Sequence, residues 1–257
     1  MEQLINDSLK KVETKHHVKI LYACEAGSRA YGLSTEKSDY DVRFIYIHPL
    51  EWYLSIDEKR DVIEVPFSSA LDLHGWDLRK TLRLLRKSNP SLLEWLTSGI
   101  VYYEELLVME HIKNTASELF SPLAYMHHYV SMARGNYKDY LKGSASSMKK
   151  LFRVLRPILI CKWVEQHVSI APISFQKLAE EVLPKKMYNG SHHLVKALTE
   201  DTALDRGIVE EFQLFVEEEL NRLDGVVKSI PSGRKVNSDI KLDTLFVNTL
   251  HRVWERG

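Results

Sequence analysis

Cysteine, net charge and long apolar runs are what this sequence lacks. Cys24 and Cys161 are its two cysteines in 257 residues, far apart and each in apolar surroundings. That excludes a disulfide framework, and without a CxxC pair or a Cys/His cluster the spacing offers no structural zinc site. Glycine (11) and proline (8) are too sparse for a collagen-like or low-complexity chain. Lys+Arg (35) balance Asp+Glu (35), so the formal net charge is zero. A protein that coats nucleic acid by bulk positive charge is thereby excluded, although a local basic patch is not. No apolar run approaches the ~18 residues that span a bilayer. Met1–His17 is polar, without the apolar stretch of a signal peptide. The expectation is a cytoplasmic protein with no membrane partner.

What is present is an ordinary globular composition, 44% hydrophobic and 27% charged. At ~100–200 residues per domain the length allows one large domain or two modest ones. Leu4, Ile5, Leu9 and Val12 recur at helical spacing, and Val18–Cys24 reads as a buried strand. Tyr40–Ile47 is the strongest strand signal. A third strand is expected over Asp61–Val65, stopped by Pro66, and a fourth over Ser68–Leu73, stopped by Gly75. From Trp76 the period becomes helical, and Asn89-Pro90 closes one helix and opens the next. Beyond Glu104 the pattern predicts helices over 105–118, 122–142, 145–164, 174–182, 191–199, 207–224 and 239–255. Strands early and helices late predict an α+β fold. Residues 1–105 would form a mixed sheet with flanking helices, and 106–257 an all-α domain.

The chemistry-bearing stretch is Gly27-Ser28-Arg29-Ala30-Tyr31-Gly32 followed by Ser38-Asp39-Tyr40-Asp41-Val42. A glycine directly after a strand permits a tight turn and close approach by a ligand. A helix starting there would offer N–H groups to an anion, with the Ser28 hydroxyl as a further donor. Asp39 and Asp41, two residues apart at the start of a strand, direct their carboxylates to one face. Such a pair repels itself unless a cation intervenes, and Mg²⁺ favours hard oxygen ligands together with substrate phosphates. A phosphate cradle followed by a carboxylate pair suits two-metal nucleotidyl transfer.

The order strand, Gly-Ser, a gap of ten residues, then Asp-hydrophobic-Asp-hydrophobic resembles the motif of the DNA polymerase β nucleotidyltransferase superfamily. The stretches EAGSRAYGLSTEKSDYDVRFIY, LHGWDLRKTLRLLRKSNPSLLEWL and KKLFRVLRPILICKWVE are similar to the YcgL-type nucleotidyltransferases, a bacterial branch linked to RNA repair. The resemblance implies two Mg²⁺ ions, with Mn²⁺ as substitute, held by Asp39, Asp41 and a third carboxylate on a neighbouring strand. Asp72 is the first candidate for that third acid and Glu64 the second, while Asp77 is expected in the first turn of the following helix. The implied donor is a nucleoside triphosphate, and the implied acceptor a hydroxyl on an RNA end or a small molecule. Arg29 follows the Gly-Ser turn and either touches a phosphate or pairs with Glu25 or Glu36. Arg43 shares the face of Asp41 and either pairs with it or sits one layer away.

Residues 131–164 hold eight Lys/Arg and one acid, and residues 200–224 nine acids and two bases. Lys149, Arg153 and Arg156 share one helix face, and Pro157 should kink or break that helix. An anion site or a solvated basic face would each account for the charge. By resemblance Lys149 or Lys150, with Arg153, would reach the triphosphate. Arg79, Lys80, Arg83, Arg86 and Lys87 would add to the field around a nucleic-acid acceptor. The competing reading is a nucleotide-binding or antitoxin-like module of the same fold without catalysis.

Overall fold

The computed structural model describes residues 1–68, 70–141, 148–231 and 238–255. Its elements fall into two compact units. The first comprises residues 1–30, 38–119 and 234–257, and the second residues 31–37 and 120–233. This is not the single cut near residue 105 expected from the strand-to-helix change. The last helix groups with the sheet, and so does the helix over 106–119, while residues 31–37 of the motif loop group with the helices.

In the first unit the chain runs α1 (Glu2–His16), β1 (Lys19–Glu25), the one-turn α2 that opens at Gly27, β2 (Tyr40–Ile47), α3 (Leu50–Tyr53), β3 (Val62–Ser68), β4 (Leu71–Asp77), α4 (Leu78–Arg86), α5 (Pro90–Leu96), β5 (Val101–Glu104) and α6 (Leu106–Leu119). It closes with α12 (Ser238–Trp254). The sheet order is β3-β4-β2-β1-β5. β2 and β4 are parallel, and every other neighbouring pair is antiparallel. One face buries Val42, Phe44, Tyr46, Leu71 and Leu73 against Ile5, Leu9 and Val12 of α1. By strand alternation the other face carries Asp41 and Arg43 from β2 and Asp72 and His74 from β4.

Two expected strand stops are overridden. β3 continues through Pro66; it is an edge strand, where proline is tolerated, and its register with β4 shifts between Pro66 and Ser68. β4 continues through Gly75 to Asp77. A Cβ at Gly75 would lie 2.1 Å from Cε2 of Phe44, its register partner, so this glycine admits the phenyl ring into the sheet. Consequently Asp72 stands near the start of β4, not at its end, and Trp76 lies in the strand. Asp77 is the N-cap of α4, its carboxylate accepting the Arg79 N–H at 2.8 Å. Asn89 caps α5 in the same way, with Pro90 at the first helical position.

The second unit contains α7 (Pro122–Leu141), α8 (Met148–His167), α9 (Phe175–Val182), α10 (Tyr188–Glu200) and α11 (Arg206–Val227). Lys142 and residues 145–147, where the α8 pattern was expected to begin, lie outside the described residues. α8 buries Leu151, Val154, Leu155, Ile158 and Leu159, and α11 buries Phe212, Val216 and Leu223. α8 runs without a break through Pro157. Pro157 has no N–H for the Arg153 carbonyl, and Asn136 of α7 fills the gap, its Nδ2 donating to that oxygen at 2.7 Å.

The charge segregation along the sequence is internal to this unit. Lys162 donates to Glu219 at 2.8 Å, Tyr137 to Glu217 at 2.6 Å, and Arg134 pairs with Asp224. Arg222 holds Glu165 with two bonds of 2.6 Å and also reaches Glu219. Arg134 and Lys162, two of the eight bases of 131–164, are thus paired with acids of α11, while Lys149 and Arg153 stay exposed. Among the described residues no helix is long and apolar enough to cross a membrane.

Candidate active site

β1 delivers the chain from the core to Glu25, an acid with no exposed surface at the end of an apolar strand. Its carboxylate accepts the Asp41 N–H at 2.8 Å and the hydroxyl of Tyr102 on β5. Its backbone carbonyl takes the Ser98 hydroxyl at 2.7 Å. Burial raises the Glu25 pKa above the ordinary carboxylate value, opposed by the bonds from Tyr102 and Asp41. The Ala26 N–H donates in turn to the Asp41 carbonyl at 2.8 Å. The start of β2 is thus clamped to the end of β1 on both sides of Asp41.

Gly27 follows with φ +61°, a left-handed conformation that disfavours side chains. A Cβ there would come within 2.1 Å of Asp41 Oδ2, so the missing side chain makes the space that carboxylate occupies. α2 is too short to carry an appreciable dipole. What the turn offers a ligand is the open Gly27 backbone and the half-buried Ser28 hydroxyl. Arg29 closes the motif loop. Its Nη2 donates to the Ser38 carbonyl at 2.7 Å, its Nε to the Asp39 carbonyl at 3.2 Å, and its guanidinium lies 3.7 Å from the centre of the Tyr40 ring. The expected pairing with Glu25 or Glu36 is replaced by these contacts, because Glu25 is buried and engaged elsewhere.

Asp41 and Asp72 are direct register partners across the parallel β2–β4 pair. Adjacent carboxylates would repel, and Arg43 relieves that repulsion. Its Nη2 lies 3.1 Å from Asp41 Oδ1 and its Nη1 2.8 Å from Asp72 Oδ2. The Arg43 side chain is 19% exposed and that of Asp72 55%, so the clamp is sunk while the far side of Asp72 stays open. Glu64, the alternative third acid, lies one strand further out on β3. It accepts from Arg60 at 2.5 Å and stands 3.4 Å from His74 Nδ1. Trp76 Nε1 donates to His74 Nε2 at 2.9 Å, which places the imidazole proton on Nδ1. Burial, followed by the charge of Arg43, lowers the His74 pKa. Asp39 is exposed just before β2, with its carbonyl bound by Arg29.

Gly27, Ser28, Arg29, Asp39, Asp41 and Asp72 all belong to the first unit, and Asp41 and Asp72 are in register. Lys149, Lys150 and Arg153 belong to the second unit, on the first two turns of α8, where Lys149 and Arg153 are exposed. Arg156 does not share their exposed face. It is buried, its guanidinium 4.0 Å from the Tyr31 ring centre and reaching the Ile173 carbonyl at 3.5 Å. The basic residues of α4 are largely engaged too: Lys80 with Asp61 at 2.9 Å, Arg86 with Asp239 at 2.5 Å, and Arg79 over Trp52 and Tyr53. Glu25 and Tyr102 escaped the sequence reading. The signal for Glu25 was a lone charge closing an apolar strand.

Among the described residues no group of three or more His, Cys, Asp or Glu converges tightly enough to hold a metal by itself. The donor set is nevertheless of the kind Mg²⁺ prefers. Asp39 and Asp41 supply hard oxygens, and Asp39 is exposed. Water or substrate oxygens would have to complete the shell.

An RlaP family model, described as the RNA repair pathway DNA polymerase beta family, matches residues 1–248. An uncharacterized protein of Bacillus subtilis (strain 168), YcgL, is 44% identical over 260 residues, covering 100% of this chain and 99% of its own. Among solved structures, a nucleotidyltransferase-like protein from Exiguobacterium sibiricum 255-15 is similar over 96% of this chain and 80% of its own, at 11% identity and a TM-score of 0.34. A family match over almost the whole length, joined by a full-length relative, answers the question the motif raised: the chain belongs to the RNA repair pathway DNA polymerase beta family.

Proposed function

We propose that this protein is a divalent-cation-dependent nucleotidyltransferase. It moves an NMP from a nucleoside triphosphate to a hydroxyl acceptor and releases pyrophosphate. The observation that carries the reading is the in-register pair Asp41–Asp72 beside a glycine whose missing side chain accommodates Asp41. The family's description favours an RNA end over a small molecule as acceptor. A cytoplasmic location, where nucleoside triphosphates are plentiful, fits this chemistry.

The residues divide the work by position. Gly27 and Ser28 bind a phosphate through the open backbone and the hydroxyl. Asp72, with one oxygen held by Arg43 and the other open, accepts the proton of the acceptor hydroxyl as its oxygen attacks the α-phosphorus and the bond to pyrophosphate breaks. Glu25 and Tyr102 fix Asp41 from behind. The resemblance adds Lys149, Lys150 and Arg153 of the second unit as candidate phosphate contacts. Asp39 and Asp41 would hold Mg²⁺, or Mn²⁺ in its place, which when bound offsets negative charge on the phosphates.

A second reading, a nucleotide-binding or antitoxin-like module without turnover, is favoured by the guanidinium already seated between Asp41 and Asp72. Incubation with each of the four NTPs, Mg²⁺ and an RNA pool separates the two. Release of pyrophosphate with label on the acceptor supports the enzyme. Saturable NTP binding without pyrophosphate supports the module.

A further inference from the structure

The two oxygens of Asp41 face different surroundings. Oδ2 points at Gly27, where a Cβ would sit 2.1 Å away, and Oδ1 is held by Arg43 Nη2 at 3.1 Å. Across the strand pair, Asp72 Oδ2 is held by Arg43 Nη1 at 2.8 Å. The same Nη1 donates to the Val42 carbonyl at 3.3 Å, which anchors the guanidinium to its own strand. With 19% of its side chain exposed, Arg43 is packed in place rather than waving in solvent. In the register it lies between Cys24 on β1 and His74 on β4, so its stem is flanked by strands on both sides.

A divalent ion shared by Asp41 and Asp72 would need oxygens at about 2.1 Å, in space bounded by the oxygens that Arg43 already occupies. It would also have to approach a fixed positive charge at closest range. Asp41 Oδ2 is not held by that guanidinium; it lies against the Gly27 backbone.

We propose, building on the nucleotidyltransferase reading, that Arg43 stands in for one of the two divalent cations that the resemblance implies. One ion then binds at Asp39 and Asp41. Asp72 is no metal ligand, and Arg43 is a positioning residue that holds Asp72 beside Asp41 with one oxygen left open. This separates the roles of the three carboxylates: Asp39 and Asp41 for the ion, Asp72 for the proton.

The test counts Mn²⁺ ions bound per full-length chain, by the loss of the free-Mn²⁺ electron paramagnetic resonance signal, with the metal as the only added ligand. Wild type is expected to bind one ion, and Asp72→Asn to bind the same one. Arg43→Gln is expected to bind two, and the gain should vanish in Arg43→Gln/Asp72→Asn. Arg43→Lys, which keeps a cation, should stay at one. Because Asp72→Asn is surface-exposed and read in the wild-type background, the inference is exposed to failure even if Arg43→Gln does not fold. Loss of an ion in Asp72→Asn, or a second ion in wild type removed by that substitution, overturns the inference and leaves the nucleotidyltransferase reading standing. Wild type that binds no Mn²⁺ also overturns the inference, while the nucleotidyltransferase reading, whose ion can arrive with the nucleoside triphosphate, stands.

Discussion

A methyl group on Gly27 would sit 2.1 Å from Oδ2 of Asp41. The turn and the carboxylate are therefore one construction, and neither residue can change alone. Gly27→Ala should cost about 1–2 kcal/mol from the left-handed backbone alone and should also push Asp41 off its position. Gly32 is the control. It has φ +80° but nothing within 4 Å of a built Cβ, so Gly32→Ala meets only the backbone cost. Chemical denaturation of both variants, with NTP turnover measured alongside, should show a larger stability loss and a much larger activity loss for Gly27→Ala. Equal activity losses would contradict the contact.

A buried trio at the other end of the sheet sets a pH dependence. His48 stacks on Trp52 at 4.0 Å between ring centres, and the His48 N–H donates to the Tyr53 oxygen at 3.1 Å. The Tyr53 hydroxyl donates to Asp77 at 2.6 Å. Burial pushes the Asp77 pKa up to about 6 from 3.8 and the His48 pKa down to about 4 from 6.5. Between pH 3.8 and 6 native Asp77 binds more proton than the unfolded chain, so its contribution to stability falls as pH rises. Between pH 4 and 6.5 native His48 binds less proton, so its contribution rises. The two slopes largely cancel in wild type. Asp77→Asn should give a melting temperature that climbs with pH from 4 to 6, and His48→Phe one that declines. Parallel profiles for all three proteins would rule this pairing out.

The unbroken course of α8 depends on a side chain from α7. Asn136→Ala removes the donor to the Arg153 carbonyl and should cost about 0.5–1.5 kcal/mol. In a Pro157→Ala background the restored N–H can serve that carbonyl, so the same substitution should cost almost nothing. A double-mutant cycle by urea denaturation reads the coupling directly. An unchanged cost of Asn136→Ala in both backgrounds would show that the bond does not compensate the proline.

The positive residues of the helical unit should separate by burial. Lys149→Glu/Arg153→Glu, both exposed, should weaken NTP binding on the order of tenfold with little change in melting temperature, steeply dependent on salt. Arg156→Gln removes the guanidinium from the Tyr31 ring at 4.0 Å and should lower the melting temperature instead. Isothermal titration with NTP and thermal unfolding, run on both variants, distinguish the two. Unaltered NTP affinity in the double variant would exclude those residues from the phosphate site.

Local patterns were legible where one rule acted alone. β2 and the helices of the second unit follow their apolar periods, and the Asn89-Pro90 cap is an adjacent-residue signal. The strand limits at Pro66 and Gly75 were not legible, because each turns on a neighbour in space: the edge position of β3 and the ring of Phe44. The same applies at the site. Strand alternation put Arg43 on the face of Asp41, but only the parallel β2–β4 register brings Asp72 to the other side of its guanidinium. Part of the charge runs was not legible for a related reason. Composition along the chain shows an excess of one sign, whereas Arg134 and Lys162 find their acids on α11, many residues later.

Transfer of label from an α-phosphate-labelled NTP to an acceptor, by wild type and by Asp72→Asn, tests the central claim most directly. The account predicts Mg²⁺-dependent labelling and stoichiometric pyrophosphate from wild type, with Asp72→Asn slower by roughly 10²–10⁴-fold while NTP binding is retained. Asp72→Asn labelling the acceptor at the wild-type rate would contradict it.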